Sequence, residues 1–132
     1  MDRICIALVD ATHARFFTFD RVIDERGTHE QLTERADLAN PVRRSDAEFA
    51  RTAMAALREL IDDDAPERVI ICAGPRMLDQ LRTSAPGLLP EHLSRDELPR
   101  DLVKLSPSEL RTELVPHGLL PPRPLPSTPT GP

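Results

Sequence analysis

The chain has 132 residues, enough for one domain, and its 39% hydrophobic and 30% charged content excludes both a membrane-embedded chain and a disordered acidic one. Aromatic residues are 3%, four Phe with no Trp or Tyr, so the core is expected from Leu, Ile, Val and Ala, and base-stacking platforms are excluded. Seventeen basic residues stand against 22 acids, a net charge of −5, which argues against duplex DNA as a partner while leaving room for a local basic patch.

Arg3 to Val9 is a continuous apolar run of strand length, the pattern of a strand buried on both faces and hence central in a covered sheet. It is too short for a signal peptide's apolar core plus cleavage site or for a membrane span, so the expected compartment is the cytoplasm and no membrane partner is expected. Asp10-Ala11-Thr12 is turn-compatible, and His13 to Asp20 follows as the second strand of an antiparallel hairpin. Asp24 to Gly27 signals the next turn. Thr28 to Leu38 reads as a polar edge strand, with Leu32, Ala36 and Leu38 on one parity.

Asn40-Pro41 stops that strand. Ser45-Asp46-Ala47-Glu48 has the spacing of a capping box, and the helix it opens is expected to reach about Ile61, with Phe49, Ala53, Leu57, Leu60 and Ile61 on one face. Asp62-Asp63-Asp64 oppose the helix dipole. They read as a solvated stop signal in preference to a metal cluster, because consecutive acids on a turn diverge. Val69 to Cys72 is a second fully apolar strand, and Gly74-Pro75 opens a helix carrying Met77, Leu78 and Leu81. Cys5 and Cys72 both lie in apolar runs and read as reduced structural thiols. His92 to Leu98 is expected as a short last strand. Ser106-Pro107-Ser108-Glu109 is a second capping box, opening a short helix with Leu110 and Leu114 on its apolar face.

The resulting order, β-β-β-α-β-α-β-α, predicts an α/β protein with a mixed five-stranded sheet in a ribonuclease H-like three-layer layout. The domain is expected over residues 1–115. Residues 116–132 carry seven of the 14 prolines and read as a disordered Pro-rich tail, with Leu119-Leu120 packing beside Leu114 as the one exception to that reading.

No catalytic constellation stands out. The chain has no C-x-x-C, H-E-x-x-H, Walker or G-x-S-x-G pattern, and its four histidines lack ligand spacing, so no cofactor and no metal are implied. The most promising spot is Gly74-Pro75-Arg76, a helix start after a central strand, where free amides and an arginine favour anions; Asp10 and Thr12, at the end of the neighbouring strand, are the other candidates for that crevice. The plainer reading is that Gly-Pro only makes the turn and that Arg76 pairs with Asp10 or Asp79.

Five segments in order resemble the bacterial host attachment proteins: Val9-Asp10-Ala11-Thr12-His13-Ala14-Arg15-Phe16-Phe17, Asp37 to Pro41, Glu48-Phe49-Ala50, Arg68 to Leu78, and Asp101 to Leu110. The resemblance spans about residues 3–114. It implies a fold like the middle domain of archaeal and eukaryotic peptide-chain release factors, ribonuclease H-like, and work on ribosomes. It also marks a departure: the long polar loop that family members carry before the long helix is reduced here to Asn40–Arg44. Release factors hold a Gly-Gly-Gln tripeptide in that region. This chain has no Gly-Gly pair, and Gln31 and Gln80 lie elsewhere, so peptidyl-tRNA hydrolysis is not implied.

The leading expectation is therefore a non-catalytic, translation-associated domain contacting the ribosome or structured RNA through Arg15, Arg43, Arg44 and Arg76, because arginine forks suit phosphates. The second is an interaction module that dimerises through its edge strand or displays its tail. The third is a metal-dependent nuclease using Asp10.

Overall fold

The computed structural model describes residues 2–122. Within them the chain runs β1 (Asp2–Val9), β2 (His13–Asp24), β3 (Gly27–Ala39), α1 (Asp46–Asp64), β4 (Arg68–Ala73), α2 (Pro75–Ser84), β5 (Ser94–Leu98), α3 (Pro107–Leu114) and a 3-10 turn (Val115–His117). The sheet order is β3-β2-β1-β4-β5. β1 pairs antiparallel with β2 and parallel with β4, β2 pairs antiparallel with β3, and β4 pairs parallel with β5. The two apolar runs thus take the central positions, as strands buried on both faces must.

Period-2 alternation divides the sheet between two cores. Cys5, Ala7, Val9, Phe16, Val69 and Ile71 face α1 and α2. Ile4, Ile6, Leu8, Phe17, Phe19, Ile70 and Cys72 face α3 and the segment beyond it. The result is three layers, two helices, sheet and one helix. On α1, Phe49, Ala50, Ala53, Met54, Leu57, Leu60 and Ile61 form the buried stripe. Each large side chain of that stripe contributes about 1.5–3 kcal/mol of burial. α1 begins at Ser45, whose hydroxyl accepts from the Glu48 amide at 3.2 Å. α3 begins with a complete reciprocal capping box between Ser106 and Glu109.

Four expectations are corrected. The first hairpin is longer than the sequence suggests: β2 continues to Asp24, and residues beyond Arg21 pair only with β3, outside the reach of β1. α1 runs past Ile61 to Asp64. Asp64 is held by tertiary partners, Arg35 bonding its carboxylate and Arg3 donating to its carbonyl at 2.9 Å, while Asp62 pairs within the helix with Arg58 at 2.9 Å.

The third correction concerns β3. Leu32 and Leu38 share sequence parity but lie on opposite faces, Leu38 against the α1/α2 core and Leu32 against the α3 core. The cause is a bulge. Phe16 faces Ala36 and Phe17 faces Glu34, which leaves Arg35 as the extra residue.

The last correction is at the C-terminal side. Residues 116–120 belong to the packed domain. The chain leaves α3 through the 3-10 turn and reverses at Gly118 (φ 70°), whose left-handed backbone suits glycine. The Leu119 amide then bonds the Leu114 carbonyl at 3.2 Å, and Leu119 and Leu120 are buried among Leu110 and Leu114. The remainder of the expected Pro-rich tail, 123–132, lies outside the described residues.

Candidate functional site at the carboxyl end of the sheet

Parallel pairing sets Val9 of β1 opposite Ala73 of β4. The Asp10–Thr12 loop and the Gly74–Pro75 helix start therefore leave the sheet side by side. A third segment joins them. Asn40, at the end of β3, donates its amide to Thr12 O at 2.9 Å and its side chain to Ala11 O at 3.1 Å. The same side chain accepts from the Arg44 amide at 2.9 Å and donates to the Arg44 carbonyl at 3.1 Å. One buried asparagine thus ties the Arg43–Arg44 loop to the first hairpin turn, so the starts of α1 and α2 share this end of the sheet.

Each candidate residue takes a definite role. Asp10 builds the turn: one carboxylate oxygen accepts from the Thr12 amide (2.7 Å), the Thr12 hydroxyl (2.8 Å) and the His13 amide (2.7 Å). Partial burial opposes its ionisation, but these three hydrogen bonds prevail and hold the carboxyl below its ordinary range. Thr12 spends its hydroxyl on this turn. Gly74 caps α2 with no side-chain hydrogen bond and an ordinary extended backbone, and a Cβ there would meet nothing within 4 Å. Among the three α-helices of the described residues α2 alone lacks a side-chain cap, and its start opens onto free space.

The four candidate arginines divide. Arg15 lies on the other face of the sheet and is fully engaged. It makes a bidentate pair with Glu34 (3.0 and 2.8 Å), donates to the Val103 and Leu105 carbonyls at 2.7 Å each, and sits 5.0 Å over the Phe17 ring. That fork pins the loop before α3 and is not free for a ligand. Arg43, Arg44 and Arg76 are exposed and form no ion pair with a carboxylate of the described residues; Arg76 makes neither expected pair, since Asp79 is held by Arg82. Arg44 reaches only the Thr52 hydroxyl, at 3.4 Å. Arg51, one turn into α1, is likewise exposed without a carboxylate partner. Most other arginines of the described chain are paired, so the unpaired ones concentrate at this end.

Among the described residues no three His, Cys, Asp or Glu side chains come together as a metal-binding group. No described helix is long and apolar enough to cross a membrane. Sequence reading missed two features. Asn40 appears in the sequence only as a strand stop, although Asn before Pro is a turn signal. Arg111, next to Leu110 on α3, draws no notice in the sequence, yet it is buried, pairs with Glu30 at 2.5 Å and stacks 5.3 Å from Phe19.

Architecture and site together define an α/β protein of ribonuclease H-like fold with an open, arginine-flanked end. One solved structure supports the fold. The Thermus thermophilus RuvC structure superposes with a TM-score of 0.55 at 12% identity, covering 93% of this chain and 85% of that one. An Aquifex aeolicus Ppx/GppA phosphatase structure aligns at a TM-score of 0.46 and 12% identity, covering 74% of this chain and 36% of that one. No curated protein matches the sequence. The family described as "Protein required for attachment to host cells" matches residues 40–114, more than half of the chain, and the chain belongs to that family. The first hairpin, which carries part of the resemblance, lies outside the matched residues.

Proposed function

We propose that this domain is a non-catalytic binding module that contacts the ribosome or structured RNA through the carboxyl end of its sheet, in a translation-associated role akin to that of release-factor middle domains. One observation carries the reading: Arg43, Arg44 and Arg76, all exposed and without a carboxylate partner among the described residues, share the end of the sheet at which α2 starts, the one described α-helix without a side-chain cap. Uncapped amides and free guanidinium forks both favour phosphate oxygens. A net charge of −5 disfavours wrapping duplex DNA but not a local contact. Asp10 is consumed by its turn, and among the described residues no carboxylates cluster beside it, so a metal-dependent nuclease reading gains no support.

Co-sedimentation with purified ribosomes tests the proposal. Binding is expected at low salt and is expected to weaken steeply as salt rises. Arg43→Glu with Arg44→Glu should reduce it at least about tenfold, a loss of roughly 1.4 kcal/mol or more. Gly74→Asp, which supplies α2 with its own carboxylate cap, should also reduce it. Absence of salt-sensitive pelleting rejects the reading.

A second reading, association through β3, rests on a separate observation. β3 is a 13-residue edge strand, and the hairpin tip beyond β1 exposes Ile23 (68%) and Val22 (37%). A dimer in light scattering that Ile23→Asp converts to a monomer would favour it.

A further inference from the structure

At the opposite end of the sheet, Ile4 of β1 lies opposite Arg68 of β4. Beside this pair a cleft of about 340 Å³ opens, walled by Arg21, Arg68 and the Gly118–Pro121 segment, with Ile4 and Leu119 as its apolar surface. The Nε–H groups of Arg21 and Arg68 are both buried and meet no acceptor. A third orphan, the Nε–H of Arg111, belongs to a guanidinium that donates to the Pro121 carbonyl at 3.1 Å on the cleft wall. Arg68 itself donates to the Leu119 carbonyl at 3.3 Å.

The acids nearby do not satisfy these donors. Glu30 is held by Arg111 and leaves its own Oε1 unpartnered, and Asp96 takes the Nη2 of Arg68 at 2.8 Å. Glu67 is exposed at the rim, and Asp2 stands opposite Arg21 in the β1–β2 register. Folded proteins rarely leave buried donors unmatched, and charged ones least of all. Here two of the three orphaned arginine donors belong to side chains that line one cavity.

We infer that this cleft is a binding site for a small oxyanion, a phosphate or carboxylate group carried on a small molecule, gripped by Arg21 and Arg68. Planar guanidinium forks match such oxygens in pairs, and the apolar Ile4 and Leu119 strengthen the attraction by excluding water. The cavity is larger than a bare phosphate ion and has room for a small organic body. Because Leu119 and Pro121 form one wall, occupancy also fastens the C-terminal segment to the sheet.

Thermal scans and calorimetry on the full chain test this. Inorganic phosphate and, separately, acetate are titrated at constant ionic strength against chloride. Saturable binding and a rise in Tm over chloride are expected with at least one: with phosphate, the ligand is a phosphorylated molecule, and with acetate alone, a carboxylate. Arg21→Gln should weaken the effect at least about tenfold, while Arg26→Gln, an exposed arginine on the β2–β3 turn, should not change it. Arg68 also holds Leu119, so Arg68→Lys is the second variant. It keeps the charge, removes the Nε–H, and should lose binding with its ligand-free Tm near that of the parent. No saturable response to either anion, a response equal to that of chloride, or undiminished binding in Arg21→Gln overturns the inference.

Discussion

Arg15 shows how far one side chain's role depends on its neighbours. In the sequence it is an arginine on a strand beside three phenylalanines, a plausible phosphate ligand. In the fold it is a clamp. Its contacts to Glu34, Val103 and Leu105 join β2, β3 and the loop before α3. The hydrogen bond from Arg15, outweighing partial burial, holds the Glu34 carboxyl below its ordinary value. The unfolded carboxyl titrates near about 4.3. The pair's contribution is thus complete above that value and is lost as pH falls through the lower folded value. Glu34→Gln should cost less than about 1 kcal/mol at neutral pH and flatten the acid limb of the stability profile below about pH 4, measured by urea midpoints across pH. The two thiols behave in the opposite sense. Burial pushes both Cys5 and Cys72 up to about 12. Neither should react with a thiol reagent at pH 8 in the native protein, and both should react at once in denaturant.

At the scale of elements, β3 and α1 explain each other. The bulge makes Arg35 an extra residue on the α1 side of the sheet, where it reaches the Thr18 hydroxyl at 3.4 Å and the Asp64 carboxylate. An acidic helix C-terminus, unfavourable on its own dipole, is offset by arginines from two strands. The bulge also lets a strand with uniform sequence parity serve both cores. Deleting Arg35 closes it and restores regular pairing without moving Leu32 or Leu38 to the other face. The deletion should therefore resemble Arg35→Ala, with the two urea-derived stabilities agreeing within about 1 kcal/mol. A deletion that unfolds the chain would show that the bulge itself is required.

For the whole molecule, the decisive boundary is where folding stops. Leu119 and Leu120 are each worth about 1.5–3 kcal/mol of burial, and Arg68 and Arg111 bond the carbonyls of Leu119 and Pro121. Truncation after Val115 should lower the thermal midpoint by at least about 5 °C. Truncation after Pro122 keeps the contacts of Leu119, Leu120 and Pro121 and should shift it by less than about 2 °C. A calorimetric comparison of the three chain lengths decides between a boundary at 115 and one near 122. His117-Gly118-Leu119 carried the signal, a left-handed cap glycine followed by an apolar residue, but the prolines on either side masked it.

Local chemistry and periodicity determined much of this protein. Two apolar runs of strand length could only be central strands, Ser45 and Ser106 could only be helix starts, and alternation separated Phe16 from Phe17 and Phe19 onto two faces. Those signals are local because each depends on residues within one turn or one pleat. The tertiary structure alone decided which arginines are free. Arg15, Arg43 and Arg76 look alike in sequence, and what distinguishes them is whether a carboxylate or carbonyl from a distant segment arrives at hydrogen-bonding distance. The same holds for Asn40 joining two loops and for Arg21 and Arg68 meeting at one cleft: charge pairing is set by approach in space, and no spacing along the chain encodes which partner will approach.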